Sequence, residues 1–314
     1  MNQYNCNNLV KIFEGDSESF EQRKLQEELN SFYNSMMSSP ENYNDLPDDI
    51  DKIIEIRNIE DAWIKYEDKR IEKYELPDDA KDFKDWYKNI YSIHKDAVKD
   101  FFKFLAHKAT LAQLAYYVHL EAQVDGRFDD IVALAQIGFD GKKKLVLANN
   151  YWDEMGNGDY DKMHTVMFDS SVSYLRDLIK GTNLLDDIGT VASLKNGNMI
   201  MMFALRKKLT PRLLGAIGIL EDTAPARFSM TVKAMRRHQL PKYVIDYHEE
   251  HIAIDAKHGR EMFYDLLIPS INGGSKEFMH EICRGVLVRY NIALDYYDSI
   301  QNKLIAVNNV FTTS

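Results

Sequence analysis

The chain has 314 residues, of which 45% are hydrophobic and 28% are charged, as is ordinary for a soluble globular protein with a sizeable core. Its net charge of -10 disfavours nucleic acid and anionic membranes as partners, because a phosphate-rich surface attracts basic proteins. Two cysteines, Cys6 and Cys283, are too few for a disulfide framework or a thiolate metal site. We see no signal-peptide pattern and no run of about 18 apolar residues, and therefore expect a cytoplasmic protein without a membrane span.

Residues 1–80 are polar, acidic and helical in pattern, and we predict that they form an N-terminal helical extension. The tetrapeptide "LPDD" occurs at 46–49 and again at 76–79, each time just before a helical pattern. Proline followed by two aspartates is typical of a helix start, so these segments indicate helix boundaries and not a repeat.

Residues 81–314 are richer in apolar residues and form the second predicted domain. Glycine and proline are few, and no strand-like alternation persists, although "KKLVLA" is ambiguous. Pro211 and Pro225 predict that one segment is either two helices or a kinked helix. The fold class is therefore all-α. The predicted helices lie at 81–107, 109–124, 127–138, 142–155, 159–180, 196–236, 242–268 and 274–308.

The stretch "HIAIDAKH" (251–258) puts three metal-type ligands on one helical stripe. His251, Asp255 and His258 stand at offsets 0, 4 and 7, which brings them within about 60° of one another around a helix. Such a stripe is either part of a metal site or a solvated polar face.

Three glutamates lie on apolar helical stripes, where an unpaired carboxylate is costly to bury. Glu121 follows Leu114, Tyr117 and Val118 on one face. Glu221 and Glu154 have similar apolar neighbours, and the "MGNGD" turn after Glu154 should let His164 converge with it. This oxygen-rich set with a few imidazoles suits a pair of iron or manganese ions. The alternative is that the glutamates form ordinary ion pairs, with Arg227 or Arg289 as partners.

Together with these residues, four segments resemble the haem-oxygenase-like di-iron oxidases and oxygenases, a family of non-haem iron-containing redox enzymes. The segments are "LEAQVDGRFDD" (120–130), "NYWDEMGNGDYDKMH" (150–164), "LEDTAPARF" (220–228) and "HIAIDAKH". The resemblance implies a seven-helix haem-oxygenase-like bundle with additional N-terminal helices, which in similar proteins can support a homodimer. The ten-residue step from Glu154 to His164 is closest to the N-oxygenating members.

The resemblance also implies a ligand set and a chemistry. Two Fe(II)/Fe(III) ions would bind O2 as co-substrate and form a peroxo-diferric species, with two electrons from an external donor. The expected activity is N-oxygenation of the amine of a small amino-acid-like metabolite. The alternative is C–C cleavage or desaturation of an amino or fatty acid. The implied metal ligands are Glu121, Glu154, His164, Glu221, His251, Asp255 and His258.

Three further residues are candidates for supporting roles. Arg289 lies on the apolar helix "GVLVRYNIALDYYDSI" and either holds a substrate carboxylate or forms an ion pair with Asp222 or Asp295. Arg227 and His248 are candidate supporting residues around the metal ligands, although His248 could equally lie at the surface.

Two competing hypotheses remain at this point. A ferritin-like di-iron bundle would use "EFMH" (277–280), with Glu277 and His280 as ligands. A metal-free relative, of the thiaminase or quinone-cofactor type, or a helical interaction protein would leave the carboxylates as ordinary ion pairs.

Overall fold

The computed structural model describes residues 6–180 and 189–311. These residues contain no strand, which confirms the all-α prediction. The helices of the described residues are α1 (Cys6–Glu14), α2 (Phe20–Met36), α3 (Ile50–Ile71), α4 (Ala80–His107), α5 (Leu111–Glu121), α6 (Phe128–Ala135), α7 (Gly141–Glu154), α8 (His164–Leu178), α9 (Val191–Leu205), α10 (Thr210–Arg237), α11 (Lys242–Glu261), α12 (Ile268–Gly273) and α13 (Lys276–Phe311).

The helix starts follow the local chemistry of the sequence. In the two "LPDD" segments, the second aspartates, Asp49 and Asp79, are the N-caps of α3 and α4, and each side chain accepts hydrogen bonds from two backbone N–H groups. Pro211 lies in the first turn of α10, so the predicted 196–236 segment is two helices, while Pro225 lies inside α10. A π-helical turn, Met262–Leu267, joins α11 to α12.

Helix α10 is the centre of the bundle and packs against α4, α11 and α13. Its contact with α13 is unusually close, because a Cβ atom at Gly215 would lie 2.1 Å from the Ile282 carbonyl oxygen. In the same way, a Cβ atom at Gly285 would lie 2.0 Å from the Arg212 carbonyl oxygen. The two helices can pack backbone to backbone only because glycine occupies both positions.

The N-terminal helices are built into the bundle. Helix α2 packs on α9, and α1 packs on α3. Leu29 and Trp63 belong to the same buried hydrophobic cluster as Met199 and Ile282, which lie on α9 and α13. The extension therefore shares a core with the remainder of the chain, and its proposed role in a homodimer stays a prediction. None of the described helices has the length and apolar character needed to cross a membrane.

Candidate metal centre

A tight glycine turn brings Glu154, the last residue of α7, to His164, the first residue of α8. Gly156 has a φ of +61°, and a Cβ atom there would lie 2.4 Å from the carbonyl carbon of Lys162. The chain can fold back this closely only because residue 156 lacks a side chain. His164 Nδ1 consequently lies 2.8 Å from Glu154 Oε2, with both side chains buried.

Helices α10 and α11 supply the other side of the site. His251, Asp255 and His258 on α11 face the interior, and Glu221 on α10 lies beside Asp255 and His258. The six buried side chains form two groups, and in each group the three candidate ligand atoms lie within 4.8 Å of one another. The first group is Glu154, His164 and His251, and the second is Glu221, Asp255 and His258.

The two groups meet at one small cavity. The cavity has a volume of about 10 Å³ and is lined by Glu154 and His251 from the first group and by Glu221 and Asp255 from the second. This volume is on the scale of a single water molecule or ion, and it is too small for an organic substrate.

The electrostatics of this cluster show a shortage of positive charge. Burial raises the pKa of Asp255 well above its usual value, and the neighbouring Glu221 and Glu154 carboxylates raise it further. Burial lowers the pKa of His258, but the Glu221 and Asp153 carboxylates outweigh burial and raise the pKa to about 9. Asp255 and His258 therefore hold their protons more strongly, because several carboxylates lie close together. Bound metal cations would supply the positive charge that these protons now provide.

The surrounding contacts fit a metal site. His251 Nδ1 lies 2.6 Å from the Tyr247 carbonyl oxygen, to which it donates, so Nε2 keeps a lone pair. His258 Nε2 lies 3.0 Å from Asp153 Oδ2, while its buried Nδ1 has no hydrogen-bond partner and lies 3.7 Å from Glu221 Oε2. Asn150 donates to the other Glu221 oxygen at 2.8 Å. Such outer contacts orient metal-binding imidazoles and carboxylates. The donor set, nitrogen and carboxylate oxygen, suits iron.

A family model described as "Iron-containing redox enzyme" matches residues 115–292, which is more than half of the chain. The chain belongs to this family. The matched stretch contains all six side chains of the two groups, so the segment that defines the family also carries the candidate ligands. Membership supports an oxidoreductase, as predicted from the sequence.

Comparison with solved structures shows the fold of the chain. It is similar to a domain of unknown function with a haem-oxygenase-like fold from Shewanella denitrificans OS217, with a TM-score of 0.55 and 14% sequence identity. The similarity covers 74% of this chain and 95% of that one. It confirms the predicted haem-oxygenase-like bundle. No curated protein matches the chain.

The structure does not bring Glu121 into either ligand group. Glu121 accepts a hydrogen bond of 2.8 Å from the Tyr296 hydroxyl and pairs with Arg227. Arg227 also pairs with Asp125 at 3.0 Å, and Asp125 lines the small cavity. Burial raises the pKa of Asp125 to about 6, against the opposing effect of Arg227. Glu121 as a ligand stays a prediction, and Asp125 is a second candidate for the same role.

Sequence reasoning missed Asp125 although it lies within the quoted "LEAQVDGRFDD" segment. Asp125 lies between the predicted helices 109–124 and 127–138, so it fell outside the apolar-stripe argument. In the structure α5 ends at Glu121, and Asp125 is the first residue of a short 3-10 turn. Asp153 and Asn150 were also missed, because their roles depend on contacts with side chains on other helices. The Tyr247 carbonyl oxygen was missed as well, although it lies one turn before His251 on the same helix.

The remaining predicted residues occupy different places. His248 is buried against Phe168 and Phe228, and burial followed by the charge of Arg227 lowers its pKa to about 3. A supporting role for His248 stays a prediction.

The ferritin-like alternative fails, since the fold is haem-oxygenase-like, and its two proposed ligands are engaged elsewhere. Glu277 pairs with Arg284, and His280 Nε2 hydrogen-bonds the Pro77 carbonyl oxygen.

Arg289 lies in a second and much larger cavity of about 330 Å³. Neither sequence-predicted ion-pair partner reaches it: Asp295 pairs with Arg70 at 2.8 Å, and Asp222 accepts a hydrogen bond from Tyr87 at 2.7 Å. Arg289 instead donates to the amide oxygen of Asn196. Leu220 and Arg227 line both cavities, so the large cavity adjoins the small one that lies between the candidate ligands.

Proposed function

We propose that the protein is an O2-activating non-haem di-iron oxygenase that N-oxygenates the amine of a small amino-acid-like metabolite. One observation carries the proposal: two buried groups, each of three side chains that can bind a metal ion, border the same small cavity. Membership in a family of iron-containing redox enzymes supports iron as the metal. A metal-free relative would have no reason to assemble six such side chains in its core.

Each group of ligands would bind one of the two ions. Glu154, His164 and His251 would surround the first ion, and Glu221, Asp255 and His258 would surround the second. When bound, the iron pair would supply the redox chemistry for activating O2, with two electrons from an external donor. The protein's part is to orient the ligands and to exclude bulk water. Hydrogen bonds orient three of the candidate ligands. Asp153 accepts from His258, the Tyr247 carbonyl oxygen accepts from His251, and Asn150 donates to Glu221.

N-oxygenation is favoured over other oxidations by the ten-residue step from Glu154 to His164, which resembles the N-oxygenating members. The second candidate is C–C cleavage or desaturation of an amino or fatty acid by the same centre. The large apolar wall of the 330 Å³ cavity favours this candidate, because an alkyl chain can pack there.

The experiment is anaerobic loading with Fe(II), followed by O2 with and without amino acids, amines and fatty acids. We expect about two irons per chain, as in di-iron bundles, and consumption of O2 that depends on the organic compound. The control is the double variant His251→Ala/His258→Ala, which loses one imidazole from each group. Equal iron uptake by the control, or turnover without O2, would refute the proposal. Product mass separates oxygen insertion from cleavage.

A further inference from the structure

The 330 Å³ cavity is built from three helices with distinct chemistry. Helix α4 contributes two stripes: a buried one of His94, Val98 and Phe102, and an exposed one of three lysines. Helix α10 contributes the wall that is shared with the small cavity, and α13 contributes Arg289 and Tyr297. The volume falls in the range typical of small-molecule sites.

The cavity has cationic side chains and no acidic one. Its five basic side chains are Lys95, Lys99, Lys103, Arg227 and Arg289. None of its lining residues is an aspartate or a glutamate. Three of these cations already pair with carboxylates outside the lining: Arg227 with Glu121 and Asp125, Lys99 with Asp96, and Lys103 with Asp100. Within the described part of the chain, Lys95 and Arg289 have no ion pair, so a ligand that enters meets their positive charge.

Arg289 is the innermost of these cations and lacks an ion-pair partner within the described part of the chain. Its exposed fraction is 9%, and its one described hydrogen bond goes to the neutral amide of Asn196. The other buried arginine that lines a cavity, Arg212, pairs with both Asp68 and Glu281. A buried guanidinium without a carboxylate is costly, so the site has a strong preference for an anion.

His94 gives the cavity a second polar group at this depth. The residue is 6% exposed, and its Nδ1 atom has no hydrogen-bond partner among the residues that the structure describes. Burial and then the charge of Arg289 lower the pKa of His94 to about 4, so the imidazole is neutral at pH 7 and can donate one hydrogen bond. The remaining buried lining is apolar or aromatic, including Val98, Phe102 and Leu220.

We propose that the substrate is a carboxylate with an apolar body and no distal positive charge, whose carboxylate binds Arg289 beside His94. A guanidinium can bind both carboxylate oxygens, and Asn196 fixes its orientation. The body packs between α4 and α10 and points to the wall of Leu220 and Arg227, behind which the candidate ligands lie. For the reaction, this inference rests on the second candidate under the proposed function, oxidation of the carbon chain of an acid, because an apolar end and not an amine points to the candidate ligands. It excludes basic amino acids as substrates.

The test uses the iron-free protein and isothermal titration calorimetry, so it needs neither metal nor O2. The three probes are octanoate, octan-1-ol and 8-aminooctanoate, which differ only in the carboxylate or the distal charge. We expect octanoate to bind at least 10-fold more tightly than either of the others, since charge-assisted hydrogen bonds outweigh neutral ones. Binding of octanoate by a protein that takes up no iron would refute the proposed function alone.

The decisive variant is Arg289→Met, for which we expect octanoate binding to weaken about 10-fold to 100-fold while octan-1-ol binding stays unchanged. The matched control is Arg284→Met on the same helix, where the arginine lines a different cavity. If Arg289→Met does not fold, Asn196→Ala tests whether the orientation of Arg289 matters. We expect this variant to bind octanoate about 3-fold to 10-fold more weakly than the wild-type protein. Equal binding of octanoate and octan-1-ol, an unchanged affinity in the variant that folds, or no octanoate binding by the wild-type protein would each overturn the proposal.

Discussion

Asp153 provides the sharpest test of how the second ligand group is held. Its Oδ2 atom lies 3.0 Å from His258 Nε2 and 2.9 Å from Lys257 Nζ. Because a carboxylate can only accept, Nε2 must carry a proton, which leaves Nδ1 as the atom that faces Glu221. The change Asp153→Ala removes this acceptor, and the imidazole is then free to rotate or to move its proton to Nδ1.

The magnitude follows from the position of Asp153 one contact behind a candidate ligand. Removing such a group typically weakens metal affinity 10-fold to 100-fold, which equals about 1.4 to 2.7 kcal/mol. The assay is competition of Fe(II) with a chelator under anaerobic conditions, together with the thermal unfolding midpoint at fixed iron concentration. We expect one of the two iron ions to bind more weakly. We also expect iron to raise the thermal unfolding midpoint by less than it does in the wild-type protein.

The matched control is Lys257→Ala, which removes the other partner of the same carboxylate. The Lys257 side chain is 51% exposed, so its ion pair contributes little, and we expect iron affinity within about 2-fold of the wild type. Equal losses in both variants would mean that the ion pair between Asp153 and Lys257 matters and the hydrogen bond to His258 does not. Unchanged affinity in Asp153→Ala would refute the argument that Nδ1 of His258 is a metal ligand.

Two other predictions concern the bundle and the ligand assignment. Gly285→Ala would place a Cβ atom 2.0 Å from a backbone carbonyl oxygen of α10 and should cost about 3 kcal/mol or more of unfolding free energy. Gly273→Ala, where nothing lies within 4 Å, should change it by less than about 1 kcal/mol; equal chemical denaturation midpoints would contradict this. His280→Ala should keep its full iron content and His251→Ala should lose iron, as measured by metal analysis, and the reverse would support a ferritin-like ligand set.

Much of the secondary structure follows from local sequence chemistry. The "LPDD" segments start α3 and α4 at the predicted aspartates, and Pro211 begins α10, because capping and proline act within one helical turn. The approach of α10 to α13 was not foreseeable in the same way. Gly215 and Gly285 are separated by a long stretch of chain, and nothing in either local pattern says that the two backbones touch.

The same division holds for the candidate site. By itself the sequence determined which side chains share a helical face, as His251, Asp255 and His258 do by spacing alone. That this face is buried was decided by the tertiary structure. Only the tertiary structure decided their partners. It placed Glu121 with Arg227, brought Asp125 to the cavity wall, and gave Arg289 no carboxylate partner among the described residues. Helical periodicity determines which side chains share a face of a helix, whereas the packing of one helix against another determines which face is buried and which charges meet across the interface.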